Sequence, residues 1–287
     1  MRAIFAREVK AHFHSVVSYA FFTFVLLFAG IFTMALNLYQ LHPNFEFVLN
    51  GISFIFTVGI PALTMRTIAE ERRQKTDQLL YALPLSLSEV VMGKYFALLT
   101  VLAVPVIIMA FYPLILLMFG PVLISSAYSA LLAFFLLGAA LMAMGMFISS
   151  LTDNQALAAV LCFVIMMLNM YLTSLASLLP GTANASLFAF AVIVLLLGLI
   201  VKNFTQSKLA GTVFAVAGLG LLCAVRIIFP TVLEGLFGKI MSQLSVHERF
   251  NNFVTGVFDI NAIVYYITVI VVLLFFTVQT MEKRRWA

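Results

Sequence analysis

The chain has 287 residues, of which 64% are hydrophobic and 9% charged, against roughly 25% charged in soluble domains. A mean hydropathy of +1.14 excludes a water-soluble core and implies an all-α polytopic membrane protein. The net charge of +5 would suggest nucleic acid in a soluble chain. Here the basic residues gather at the ends of apolar runs, so the positive-inside rule accounts for them and no nucleic-acid partner is implied.

In chain order, residues 1–15 read as an amphipathic helix on the inner membrane surface. Phe5, Val9, Phe13 and Val16 recur at helical spacing, with Arg2, Arg7, Lys10 and His14 off that stripe. His12 and His14 form an H-x-H pair with no Cys or carboxylate nearby in sequence to complete a metal site. The apolar run that follows is long enough to span and has no A-x-A cleavage site, so it is not a removable signal.

A span needs about 20 apolar residues. That measure predicts eight: Val16–Leu36, Phe47–Met65, Tyr95–Phe119, Ala127–Ile148, Gln155–Leu178, Ala185–Val201, Leu209–Phe229 and Ile260–Thr280. With the N-terminus inside, the inner segments hold 13 of the 16 Lys and Arg residues, which favours eight spans with both termini inside. Ala185–Val201 sits at the lower limit of length. Pro61, Pro105 and Pro113 fall within spans, where they can kink helices.

The polar block 66–94 carries nine charged residues between two uncharged apolar runs, so it forms the loop of a membrane hairpin. Its basic residues outnumber its acidic ones, which places it in the cytoplasm. Ile68–Lys75 contains no helix breaker, so the preceding span is expected to continue as a polar helix. Thr76 is expected to cap a short helix over Asp77–Ala82 that Pro84 ends, and Ser86 with Glu89 makes a capping box for the next span. The pattern reads either as a docking surface along the membrane or as a solvated loop whose charges set orientation.

The run R66-x3-E70-E71-R72-x3-T76-D77-x-L79-L80-x2-L83-P84-L85-S86-x2-E89-x3-G93-K94 resembles the signature of type-2 ATP-binding-cassette exporter permeases, though Thr76 lacks the Gly that often precedes it there. The C-terminal runs G256-V257-F258-D259-x5-Y265-Y266 and E282-K283-R284-R285-W286 resemble the gliding-motility branch of that family. The resemblance covers nearly the whole chain, 1–287, as one transmembrane permease domain. It implies that Glu70, Glu71, Arg72, Thr76, Asp77, Leu79, Leu80 and Leu83 couple to an ATPase subunit. It also implies a second permease copy or a related chain, and ATP with Mg held by the partner ATPase. Members of the family typically have six spans, so the hairpin over Ala185–Phe229 would be an addition. The implied substrate path follows the second and fifth spans, with Met166, Asn169, Met170, Tyr171, Thr173 and Ser174 as cavity candidates; ordinary interhelical packing explains the same residues.

Thr152-Asp153-Asn154 reads as an inner turn that caps the fifth span or touches the same partner. The outer segment 229–259 should hold two short amphipathic helices, started by T231-x-x-E234 and S245-x-x-E248. His247-Glu248 is not a zinc motif, since no second His completes H-E-x-x-H. Cys162 and Cys223 lie in apolar runs and read as core side chains. The spans hold no charged residue except near their ends, which argues against an ion-coupled transporter. No G-x-x-x-x-G-K-[ST] is present, so this chain is not itself the ATP-binding enzyme. The expected function is that of an ABC permease subunit in the cell membrane, bacterial inner or plasma. The alternative is a non-transporting membrane scaffold, or a subunit that transmits motion to a surface machine.

Overall fold

The computed structural model describes residues 1–76, 86–205, 208–228 and 233–285. Every regular element among them is helical. Five helices are long and apolar enough to cross a membrane, and a bent pair makes a sixth if it counts as one span. This marks a membrane protein. Over the expected sixth and seventh spans the apolar stretches are shorter, Ala183–Leu199 and Thr212–Ala224. The chain packs as two compact units, Met1–Met170 with Arg249–Ala287, and Tyr171–Glu248.

In the first unit, α1 (Arg2–Phe13) leads into α2 (Val16–Phe32), which Ser15 caps by accepting the Val17 N–H at 3.3 Å. α2 runs on as a π-helix over Thr33–Tyr39. The second expected span is not one helix. It is α3 (Glu46–Ile52) and α4 (Phe54–Thr64), bent by 51° about Ser53. No proline sits at the bend; the Ser53 hydroxyl donates to the Asn50 carbonyl at 2.8 Å, a back-bond that bends helices. The polar continuation is interrupted as well: Met65–Ile68 form a turn before α5 (Ala69–Arg73).

α6 (Leu87–Met109) begins where the capping box places it, with Ser86 Oγ accepting the Glu89 N–H at 3.3 Å. A short α7 (Tyr112–Leu116) follows, with proline in its first turn. α8 (Ile124–Leu151) is the core helix of this unit. Its small residues explain why. A Cβ on Gly138 would stand 2.8 Å from a Leu102 methyl, and one on Gly145 2.9 Å from the Thr64 Cβ, so α6 and α4 come close at those points. The Phe56 and Phe134 rings meet at 4.5 Å, and the Tyr95 hydroxyl donates to the Ala139 carbonyl at 3.1 Å.

α9 (Gln155–Ser177) starts at Asn154, whose Oδ1 accepts the N–H groups of Ala156 and Leu157 at 3.0 and 3.3 Å. The unit closes with α13 (Glu248–Val254) and α14 (Ile260–Arg285). The G256-V257-F258-D259 run is the joint between them. Gly256, at φ +81°, ends α13 in the left-handed conformation, and the Val257 N–H reaches back to the Asn252 carbonyl at 3.0 Å. Asp259 then caps α14, accepting the Asn261 N–H at 2.9 Å, while the Asn252 side chain donates to its other oxygen at 2.7 Å. That Asn252 bond leads the causes that hold the Asp259 carboxyl below its usual range. Tyr266 is buried, and the Arg249 guanidinium carbon lies 5.1 Å from the Tyr265 ring centre.

In the second unit, α10 (Ala183–Thr205) and α11 (Lys208–Ile228) form an antiparallel hairpin, closed at one end by Arg226 donating to Asn184 Oδ1 at 3.2 Å. α12 (Leu236–Leu244), with Gly235 at its N-cap, begins four residues later than the T231-x-x-E234 pattern predicts. Gly235, at φ +64°, sets its start, and the Gly235 N–H is held by the Gly181 carbonyl at 3.0 Å. Residues 231 and 232 lie outside the described residues. Ser245 does accept the Glu248 N–H, at 3.2 Å. Cys162 is buried as expected, whereas Cys223, on α11, is exposed. Exposed large apolar side chains such as Phe24, Ile107, Val160, Leu196 and Val271 run along the long helices, as a surface solvated by lipid requires.

Candidate functional site

The expected coupling segment begins where α4 ends. Gly145 on α8 has no side chain, so Thr64 sits directly against α8 and α4 ends in contact with it. The turn that follows frees backbone groups, and one side chain satisfies them. Ser149 Oγ accepts the Ala69 N–H at 3.1 Å and the Ile68 N–H at 3.4 Å, and can donate to the Met65 carbonyl at 3.4 Å. α5 is thus capped by a residue of α8 and not by its own flank.

α5 ends in a Schellman turn. The Lys75 N–H reaches the Arg72 carbonyl at 3.0 Å, and the Thr76 N–H reaches that of Glu71 at 2.9 Å. Lys75 carries the left-handed conformation, φ +57°, usually given to glycine. The Thr76 hydroxyl donates back to the Glu71 carbonyl at 3.2 Å. The short helix that Thr76 is expected to cap, with Asp77, Leu79, Leu80 and Leu83, lies outside the described residues.

The charges of α5 divide by direction. Glu70 stays at the surface, 3.8 Å from Arg66 and accepting a Gln74 amide bond at 3.2 Å. Glu71 turns inward to Lys94, 2.7 Å away, whose side chain is 1% exposed. Lys94 also meets Glu8 at 3.2 Å, and Arg7 bridges Glu8 at 2.6 Å and Glu71 at 3.1 Å. Two cations and two carboxylates therefore join α1, α5 and α6. Burial pushes the Glu8 carboxyl up, but Lys94 and Arg7 outweigh it and hold Glu8 below its usual value. His12, above the same cluster, is pushed down, chiefly by burial.

Arg72 turns the other way. Its guanidinium, 3% exposed, donates to the Ser150 carbonyl and lies 3.8 Å from Asp153. Arg284 of α14 pairs with the same Asp153 and donates to the Leu151 carbonyl at 3.1 Å. In the Thr152–Asn154 turn, then, Asn154 caps α9 and Asp153 joins α5 to the end of α14.

The cavity candidates separate. Met166 is buried, and Cys162 Sγ lies 3.9 Å from its sulfur. The Thr57 hydroxyl of α4 points to the Met170 sulfur at 3.5 Å, so α4 and α9 do face each other there. Asn169 is half-buried. Tyr171 and Ser174 are exposed. Thr173 belongs to a cavity of about 290 Å³ in the second unit, walled by Ala176, Pro180, Ser186 and Phe237.

Sequence reasoning missed Ser149, Glu8, Asp153 and Arg284 as members of this network. Lys94 was within the recognised run, but its burial was not evident from it. The one available signal was the acidic Glu8 within an otherwise basic N-terminal helix. In comparisons with known proteins, no family model and no curated protein matches the chain.

Proposed function

We propose that the chain is the membrane-spanning permease subunit of an ATP-driven ABC exporter, coupling hydrolysis by a separate ATPase to movement of a substrate. The observation that supports this best is the two-sided fastening of α5: Glu71 ties it to Lys94 and α1, and Arg72 ties it to the Ser150–Asp153 turn. A force applied to residues 77–85 would pass through α5 to α6 and α8 without being lost in a slack loop.

In this reading the chain crosses the cell membrane eight times with both termini inside, α1 lies at the inner surface, and two permease chains sit on two ATPases that hold ATP and Mg. Leu79, Leu80 and Leu83 make the docking contact, each worth roughly 1.5–3 kcal/mol if buried. The exposed Arg66–Glu70 pair adds about 0–1 kcal/mol and sets register. Glu71 and Arg72 act from behind, as the anchor of the loop. The test is attachment: Leu79→Asp or Leu83→Asp releases the ATPase on detergent extraction. Recovery of wild-type amounts of ATPase with both variants removes this stretch as the docking element.

A further inference from the structure

α1 does more than carry ion pairs. Ile4 sits in the notch left by Gly93, where a Cβ would stand 3.2 Å from its methyl, and Glu8 is fixed to Lys94. α1 is therefore laid across the start of α6, and beneath it opens a slot of about 570 Å³. It is a shallow groove, open on its outer side and lined by Phe5 of α1, Phe96, Leu99 and Ala103 of α6, and Phe135 of α8. Thr100 also lines it, but its hydroxyl is turned to the Phe96 carbonyl at 2.9 Å, so the wall stays apolar. Arg2 stands in the lining, exposed and with no ion-pair partner among the described residues.

We propose that this slot holds one acyl chain of a bilayer phospholipid, with the lipid phosphate against Arg2. Phe96, Thr100, Ala103 and Ile107 follow one another at helical spacing, and the last is 60% exposed, so the slot continues into the lipid-facing stripe of α6. A polar peptide would find no partners there for its backbone groups. The lining contains no carboxylate, and its one charged side chain is positive, which matches a phosphate at the head of an apolar chain. Phe96 to Ala103 covers about 10 Å of helix at roughly 1.5 Å per residue, enough to take the upper part of a chain that then runs on along Ile107. This assignment needs only that the protein lies in a bilayer and is independent of any ATPase.

The test uses the full chain in detergent, phosphatidylglycerol as probe, and native mass spectrometry to count bound lipid. Wild type holds one phosphatidylglycerol that Ala103→Trp, whose indole fills the slot, does not hold. Arg2→Ala, a change on an exposed side chain that leaves the packing intact, binds it about fivefold more weakly. Leu132→Trp, on an exposed position of α8, keeps wild-type binding. Undiminished binding by Ala103→Trp, or by Arg2→Ala, overturns the proposal. So does a wild-type dimer that Ala103→Trp breaks while lipid binding is unchanged, which would make the slot a contact between two copies.

Discussion

The Lys94 ammonium, on α6, lies 2.7 Å from the Glu71 carboxylate, on α5, with the lysine side chain almost wholly out of solvent. Burying an ammonium costs several kcal/mol unless carboxylates offset it, and Glu8 supplies the second, from the N-terminal helix. Replacing Lys94 by Met removes the buried cation and leaves the two carboxylates with only the half-exposed Arg7 between them. The two carboxylates keep 19% and 13% exposure, so the cost should fall short of the full range for a buried pair, at about 2–3 kcal/mol. Thermal unfolding of the full chain in detergent measures it, and a loss well under 1 kcal/mol would mean that the pairs contribute little.

Acid should loosen the same joint. Glu8 and His12 both have lowered pKa values in the folded chain, so each binds fewer protons folded than unfolded and its contribution is lost as pH falls. For His12 the loss sets in below the ordinary histidine value of 6.5, and for Glu8 below the ordinary carboxyl value of 4.5. Between about pH 7.5 and about pH 5 the midpoint of thermal unfolding should therefore drop, and drop less in His12→Phe. Equal slopes for the two proteins would exclude His12 as the source.

Two glycines in long helices should respond in opposite ways. Gly145→Ala drives a methyl into Thr64 and should cost about 1–3 kcal/mol, because the obstacle is a packed side chain next to the α4 backbone. Gly30→Ala, in α2, meets nothing within 4 Å and should gain up to about 1 kcal/mol from helix propensity. Comparable losses for both would mean that α4 and α8 do not approach as closely as described.

Much of this architecture was legible because it is local. Ser86 starting α6, Asn154 starting α9 and Ser245 before α13 follow from capping chemistry within three residues. What was not legible depends on partners far along the chain. Phe47–Met65 reads as one apolar run, and nothing in its pattern announces that Ser53 will bend it. Ser149 caps α5 from 80 residues away, and Asp153 is paired with Arg284 across 131. Glu71 and Arg72 look outward because charged residues in a loop usually do. Nothing in the local pattern marks Lys94 and the Ser150 carbonyl as their partners on the inside. Cys223 shows the converse: in a membrane protein an apolar run can face lipid as readily as the core.

The number of crossings can be read chemically. In a background lacking Cys162 and Cys223, single cysteines at Gln206 and Gln243 would lie on opposite sides of the membrane if α10 and α11 both cross it. An impermeant thiol reagent added to intact cells should then label the cysteine at position 243 and spare the one at 206. Equal labelling would contradict eight spans and favour a hairpin that does not cross.

The claim that a separate ATPase drives this chain is tested most directly by purifying the tagged full chain from its own membranes, identifying what accompanies it and measuring ATP hydrolysis. The account predicts a co-purifying protein that carries a G-x-x-x-x-G-K-[ST] phosphate loop and hydrolyses ATP in the complex. Recovery of the intact chain with no such protein, and no hydrolysis above that of a mock preparation, would contradict it.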